Sequence, residues 1–392
     1  VSPPAAAFFV AHLSSRIRHV SHRYVVFGAG RQGTAALHDL VLHADAAAVV
    51  AVEPDAARAK RARSRLARLL GRRARTLRIV PAIDDRELAT ADVVLSCAPY
   101  AANVELTRRA RRVGVDFCDL GGNPETVARQ EALATKRGSA VVPECGVSPG
   151  LTNVIAAHCA RHHGCDEVTV RCGGLPLVPP DAERNPLRYR LVFSATGLLS
   201  EYSGTVPVLR GGRIGRVPAL STIEPFEPGF ECSPTSNNSP QVVSYLRSIG
   251  VRDYDYATVR YDGHFALVRG WRSLGYLCGD AKRDAELAAR LESDPTLAHD
   301  PRVDRDRLIL RVKGSHARDG MRRGFEYRLD VAADRRTRFS AMELTTCWGI
   351  TIVAHHMASG RGRPTGFATP ERFVDGAWVL EQIERRLATL RT

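Results

Sequence analysis

The chain has 392 residues, 44% hydrophobic and 25% charged, a balance that excludes a disordered chain and leaves room for two folded domains. No apolar run approaches the roughly 18–20 residues of a membrane helix, so no membrane partner is expected. A formal net charge of +14 invites a nucleic-acid partner, but the distribution of that charge argues for a solvated surface instead.

Ala5–Val10 is short, with no basic residues before it and no clear cleavage site after it, so it does not read as a signal peptide, and residues 1–22 read as a poorly ordered extension. From Tyr24 short Val-rich runs alternate with helical stretches. Tyr24–Phe27, Ala48–Val52, Leu77–Val80, Asp92–Leu95, Val115–Cys118 and Ser139–Val142 read as strands. Thr34–Leu42, Asp55–Leu70, a short piece after Asp84, Ala102–Arg112 and Pro124–Lys136 read as helices. This rhythm implies an α/β fold with a doubly wound parallel sheet. Much of the positive charge lies between Arg58 and Arg78, interleaved with Ala and Leu. It reads as a helix with Leu66, Leu69 and Leu70 inward and arginines solvated, and it has no aromatic platform for bases.

The first strand runs into Gly28-Ala29-Gly30-Arg31-Gln32-Gly33 and then a helix. Gly28 permits the tight turn, Gly30 lets backbone approach a pyrophosphate, and Gly33 lets helix pack on strand. The backbone N–H groups of residues 30–33 face the phosphates at the positive end of a helix dipole. The second strand ends on Glu53, roughly 20 residues on, where a carboxylate binds ribose hydroxyls and repels a 2′-phosphate. This Rossmann pattern predicts NAD, with NADP disfavoured; Asp55 is placed to do the same work and Arg58 to soften the choice. The fourth strand ends in Cys97-Ala98-Pro99-Tyr100, a loop expected along the cofactor at the carboxyl edge of the sheet.

After about Gly150 longer runs alternate polar and apolar residues: Glu167–Cys172, Arg188–Phe193, Thr258–Tyr261, Leu308–Val312, Phe325–Val331 and Phe339–Leu344. They predict a second, α+β domain. Two helices, Ile350–Met357 and Gly376–Leu387, close the chain. The division expected is 23–150, 151–346 and a returning helical segment 347–392. Nine scattered cysteines without a Cys-x-x-Cys pair predict reduced thiols and a cytoplasmic location. His158, His162 and His163 share a helix without a completing Glu and read as surface histidines, so no metal site is expected.

Four segments share a further pattern: Cys118-Asp119-Leu120-Gly121-Gly122, Pro143 to Asn153 with its Gly-x-x-Pro-Gly-x-x-Asn core, Val192 to Leu199, and Val259-Arg260-Tyr261-Asp262-Gly263-His264. In this order they resemble the saccharopine dehydrogenase family, most closely its L-lysine 6-dehydrogenase branch. The resemblance implies a second domain carrying substrate and dimer contacts, so a homodimer or higher homo-oligomer is expected. It also implies hydride transfer between a nicotinamide cofactor and the carbon of a C–N bond. Such a reaction needs a proton acceptor, and Asp119 and His264 are the two candidates. The substrate carboxylate needs donors: Arg188 or Arg260 as a fork, with Gly121, Asn153, Phe193, Tyr261 and Tyr100 as further substrate contacts. In the loop Thr235-Ser236-Asn237-Asn238, saccharopine-forming enzymes carry an Arg-Asp pair that is missing here. Lysine dehydrogenases carry Thr-Ser followed by two glycines; Thr235 and Ser236 remain and the glycines do not. The expectation is therefore oxidation of the side-chain amine carbon of a diamino acid, L-lysine first, with ornithine or another diamino acid open. A saccharopine or carboxyspermidine type of reaction on a secondary amine is the alternative. A non-catalytic NAD-binding sensor or assembly subunit is the alternative of another class.

Overall fold

The computed structural model describes residues 21–121, 123–134, 138–300, 303–318 and 321–391. Most of the expected N-terminal extension lies outside them, but its last two residues do not, and β1 (His22–Phe27) already starts at His22. With β2 (Ala46–Val52), β3 (Leu77–Val80), β4 (Val93–Ser96), β5 (Asp116–Asp119) and β6 (Val141–Val142) it forms a parallel sheet in the order β3-β2-β1-β4-β5-β6. The order reverses between β1 and β4, which opens a crevice at their carboxyl ends. Helices α1 (Arg31–His43), α2 (Ala56–Leu70), α3 (Asp85–Leu88), α4 (Asn103–Arg112) and α5 (Pro124–Leu133) connect these strands.

Local chemistry starts several of these helices. The Asp55 side chain accepts from the Arg58 N–H at the head of α2, and Asn123 caps α5 ahead of Pro124. On α2 the buried residues are Ala59, Ala62, Leu66 and Leu70. Not all of its arginines are solvated, however: Arg65 lies 4.0 Å over the Phe339 ring and donates to the Thr337 carbonyl. It staples the helix to the segment leading back from the second domain.

That domain begins with α6 (Leu151–His163) and β7 (Glu167–Pro176). It continues through α7 (Ala195–Glu201), β8 (Thr205–Arg210), β9 (Arg213–Pro218), β10 (Glu224–Pro225), β11 (Phe230–Ser233) and α8 (Pro240–Ser248). Then come β12 (Asp253–Tyr261), α9 (His264–Ser273), α10 (Ala281–Ser293), β13 (Asp306–Arg318) and β14 (Met321–Ala332). Its mixed sheet runs β10-β11-β12-β7-β13-β14, with β8 and β9 attached through β12. β12 and β7 are parallel, and β13 is antiparallel to β7.

Two expected strands are absent. Residues 188–193 are irregular, with Arg188 at φ 50°. Residues 339–344 end a loop and start α11 (Ala341–Ala358), because Ser340 and Glu343 form a reciprocal capping box. The boundary expected at 346/347 therefore falls inside a helix. α11 packs on α1, β4 and β5, and residues 366–368 hydrogen-bond to Val141 at the edge of the parallel sheet. After α12 (Pro370–Phe373), α13 (Gly376–Arg391) closes over α6 and α11. Among the described residues no helix is long and apolar enough to cross a membrane. His158 is buried beneath Gly376, and His163 stacks on Phe325 at 4.3 Å, so the expected surface histidines are in part packed ones.

Candidate active site

The glycine loop is built as its spacing requires. Gly28 has φ 93°, and a Cβ there would meet the Cys97 carbonyl at 2.9 Å. A Cβ on Gly33 would lie 1.9 Å from the Gly28 carbonyl oxygen, so only glycine lets α1 sit this close to the loop. At Gly30 a Cβ would meet nothing within 4 Å; the space in front of it is open to a ligand. The Cys97 N–H donates to the Phe27 carbonyl at 2.8 Å, which sets Cys97, Ala98 and Pro99 beside the loop. Tyr100 follows on a short 3-10 turn, 48% exposed.

Glu53 is buried at the end of β2. Its Oε2 accepts from the Ala29 N–H at 3.0 Å, and Oε1 accepts from the Asp55 N–H at 3.0 Å and from Arg58 Nε at 3.2 Å. Burial raises this carboxyl, but the two backbone donors and Arg58 outweigh it and hold the group ionised below its usual range. Arg58, half-exposed, also lies 3.7 Å from Asp55. Arg31 donates to Glu343 at 2.7 Å, and Gln32 reaches the Met342 carbonyl while its Oε1 has no partner. An anionic dinucleotide fits this cradle: open space at Gly30, helix N–H groups behind it, and a fixed acceptor at Glu53.

Between the two sheets lies a cleft of about 220 Å³. Gln32, Leu120 and Gly146 to Ser148 form the wall on the first domain, Met342 and Thr346 of α11 close one side, and Cys172, Tyr256, Thr258 and Arg260 line the second sheet. Phe193, Glu201 and Asn237 complete it. Of the candidates read from the sequence, Gln32, Phe193 and Arg260 line this space.

Arg260 is 2% exposed. Its Nη2 donates to Glu201 at 3.0 Å, Nε to the Tyr202 hydroxyl at 3.1 Å and Nη1 to the Val259 carbonyl at 3.0 Å. Burial raises the Glu201 carboxyl above its usual range, against the pull of Arg260 and of an Asn237 hydrogen bond. Glu201 was not anticipated. Its signal was a lone acid closing an otherwise uncharged helix, in a segment whose neighbours were already suspect.

Both acid–base candidates are turned away from the cleft. Asp119 is fully buried: Oδ1 accepts from the Gly121 N–H at 2.7 Å and Oδ2 from Gln130 at 2.6 Å. Burial pushes it up to about 6, but its oxygens brace the β5 turn and α5. Gly121 shapes that turn at φ 80°, against Glu144; Gly122 lies outside the described residues. His264 is also fully buried. Its Nδ1 faces the Leu187 carbonyl and its Nε2 the Tyr202 hydroxyl, both at 2.8 Å. A carbonyl only accepts, so Nδ1 carries the proton and Nε2 accepts from Tyr202. Burial, then Arg260, push the imidazole down to about 3, and it acts as a neutral prop for Tyr202.

The remaining candidates stand behind the lining. Arg188 lies over the Tyr261 ring and reaches the Asp262 carbonyl at 3.3 Å. Tyr261 stacks on Phe230 and donates to the Pro176 carbonyl. Thr235 shares a 2.6 Å hydrogen bond with Thr258, Ser236 caps the Ser200 carbonyl, and Asn153 is buried on α6 with an unpartnered Nδ2. One further buried acid was missed, Glu144 beyond β6, which burial pushes up to about 8. The Ser239 hydroxyl lies 2.6 Å from Glu144 and 2.9 Å from Gln241 Oε1. It has one proton for two acceptors, which a protonated Glu144 resolves.

Comparison with known proteins follows this division. Residues 24–142 match the family model of the saccharopine dehydrogenase NADP binding domain, and residues 146–389 match that of the saccharopine dehydrogenase C-terminal domain. A mouse mitochondrial alpha-aminoadipic semialdehyde synthase is 25% identical over 218 residues, 52% of this chain and 23% of that protein. The saccharopine dehydrogenase (NADP+, L-glutamate-forming) of Saccharomyces cerevisiae is 26% identical over 217 residues, 50% of this chain. That match spans 46% of the yeast protein, so these relatives are matched over less than half their length. The apo crystal structure of the L-Glu-forming saccharopine dehydrogenase from the same yeast superposes with a TM-score of 0.73 at 20% identity. It covers 93% of this chain and 98% of the other, and so shares the fold. The two family models together span both sheets and the helices that return to the first, and the chain belongs to the saccharopine dehydrogenase family.

Proposed function

We propose that the protein is an amino-acid dehydrogenase that oxidises the side-chain amine carbon of a diamino acid, L-lysine first, with NAD as coenzyme. The observation that carries this reading is the charge of the cleft. Among the described residues that line it, Arg260 is the one cation, and Glu201 already balances it. One substrate carboxylate can be met there; the additional carboxylates of saccharopine would find no counter-ion. The amine side chain extends instead along Tyr256, Thr258 and Ser148, toward the Leu120–Gly146 wall beside the glycine loop.

When bound, a nicotinamide ring supplies the hydride acceptor. The chain's own work is positioning: Arg260 fixes the carboxylate, and Phe193 and Met342 exclude bulk water from the apolar side of the cleft. With Asp119 and His264 both turned away, water in the cleft takes the proton from the substrate ammonium. The test is NADH formation by purified protein offered L-lysine, L-ornithine and saccharopine in turn. Turnover of L-lysine exceeding that of saccharopine at least tenfold is expected; the reverse order would sink the reading.

A second reading has its own support. The first domain matches a family model described as NADP binding, and Arg58 is the group that would meet a 2′-phosphate. A secondary-amine substrate with NADP would then take the place of lysine with NAD. The coenzyme question is decided by binding rather than turnover. Glu53→Ala is expected to weaken NADH about tenfold or more, the loss of a charge-assisted hydrogen bond, and to leave NADPH less affected. Equal loss for both coenzymes, read by nucleotide fluorescence, would remove Glu53 as the selector. We further infer a homo-oligomer and a reducing, cytoplasmic setting for the nine unpaired thiols.

A further inference from the structure

Glu201 and Arg260 form a buried pair of opposite charges on one wall of the cleft, 3.0 Å apart. A pair whose only purpose is stability is commonly matched or bettered by apolar residues of the same volume. This one faces an open space and is incompletely satisfied. The three hydrogen bonds that Arg260 makes among the described residues use three of the five N–H groups a guanidinium carries. One N–H is left on each terminal nitrogen, the arrangement that receives a carboxylate as a two-pronged fork. Only Oε2 of Glu201 is taken by Arg260. Asn237, which also lines the cleft, hydrogen-bonds to the same carboxylate.

The geometry points to a head-group clamp: Arg260 receives the α-carboxylate of the substrate and Glu201 its α-ammonium. This deepens the reading of the cleft as an amino-acid site and rests on it. The logic is charge matching at short range. Adjacent opposite charges on the wall meet the adjacent opposite charges of a free α-amino acid, so neither partner leaves an unpaired charge in a dry site. A plain carboxylic acid would satisfy Arg260 alone. An N-acylated amino acid would place a neutral amide against the Glu201 carboxylate. Selectivity is thus for the zwitterionic head, whatever side chain follows.

The clamp is held in register from behind. The Tyr202 hydroxyl accepts from Arg260 Nε and donates to His264 Nε2, while His264 Nδ1 donates to the Leu187 carbonyl. Tyr189 lies with the Arg260 guanidinium 5.0 Å over its ring. Tyr202 and His264 are positioning residues, and neither touches the cleft.

L-Norleucine carries the head group without a reactive amine, so the clamp can be tested by binding alone. The measurement is the dissociation constant of ligand from the protein–NADH complex, read by NADH fluorescence. Wild-type protein is expected to bind L-norleucine at least tenfold more tightly than hexanoate or N-acetyl-L-norleucine. Glu201→Gln, which keeps the size of the side chain and the Arg260 hydrogen bond, is expected to weaken L-norleucine at least tenfold and leave hexanoate unchanged. Wild-type protein that binds the three ligands equally would overturn the clamp, and that comparison needs no variant to fold. So would a folded Glu201→Gln protein that binds L-norleucine as wild type does. Turnover of L-lysine is scored separately. Head-group selectivity without turnover removes amine oxidation and keeps the clamp, and turnover without selectivity does the opposite.

Discussion

Replacing Arg386 with Met is expected to lower the free energy of unfolding by about 3–5 kcal/mol, the range for stranding one member of a buried ion pair. Arg386, on α13, is 1% exposed, and Asp39, on α1, is 4% exposed. Arg386 Nη2 lies 2.7 Å from Asp39 Oδ2 and Nε 3.0 Å from Oδ1, and the Thr351 hydroxyl of α11 adds a bond to Oδ2. Burial raises the Asp39 carboxyl, but Arg386 outweighs it and the group stays ionised below the usual range. Without the guanidinium, a carboxylate is left in the core between three helices. Urea unfolding followed by fluorescence and circular dichroism measures the loss. The double change Asp39→Leu with Arg386→Met should recover most of it, because an apolar pair carries no desolvation cost. A single variant within about 1 kcal/mol of wild type, below the expected range, would show that the pair is hydrated and does not clamp the chain end. Coenzyme binding should weaken in the single variant, since α1 carries the glycine loop on its first turn.

The parallel sheet was legible because each of its strands is a short apolar run bounded by a turn signal, and because the glycines at 28, 30 and 33 carry a mechanical requirement that few sequences meet by chance. The second domain was less legible. Residues 339–344 alternate as a strand does, yet Ser340 and Glu343 close a capping box that makes them the head of α11. That box was readable from its Ser-x-x-Glu spacing. The hairpin of β8 and β9 turns on Gly211 and Gly212, at φ 56° and 77°, a two-glycine signal for a tight turn. Arg188 to Phe193 is Val- and Leu-containing but irregular, since the Asn185 side chain donates to the Tyr189 carbonyl and holds the segment in a turn.

The site divided along the same line. Residues placed by backbone shape, at the glycine loop and the Cys97 turn, were legible in the pattern of the chain. Residues whose role depends on which way a side chain faces were not. Asp119 and His264 were chosen for chemistry at the right place in the chain, but a rotation of each about its own backbone turns one onto Gln130 and the other onto Tyr202. Glu201 lies two residues beyond the Val192–Leu199 segment, but nothing in a one-dimensional pattern tells a helix-end acid in solvent from one facing a cleft.

Lowering the pH should weaken wild-type protein more than a His264→Gln variant, by about 1.4 kcal/mol for each pH unit below the ordinary histidine range. The sign follows from the imidazole being held neutral: its folded value is about 3 against about 6.5 in an unfolded chain. Its contribution is complete above 6.5 and is lost as pH falls toward 3, because the unfolded chain takes up the proton and the native one does not. His38 and His355, each pushed down to about 4 by burial, act in the same direction. Glu144, at about 8, acts in the opposite one: it binds a proton when folded and so gains stability as pH falls from 8 toward the ordinary carboxyl range. The difference between wild type and variant cancels those terms and isolates His264. Between pH 7 and pH 4.5 urea midpoints converted to free energies should separate by about 2–3 kcal/mol, and parallel curves would mean the imidazole is already charged or hydrated. In the folded protein the same protonation waits until about pH 3, at the foot of the window in which this stability is lost. A charged His264 no longer accepts from Tyr202, the hydroxyl must find another acceptor, and the Arg260 guanidinium loses the partner that aims it at the substrate. Above that point the native imidazole stays neutral, so the fold should give way before His264 disturbs the binding of an amino acid.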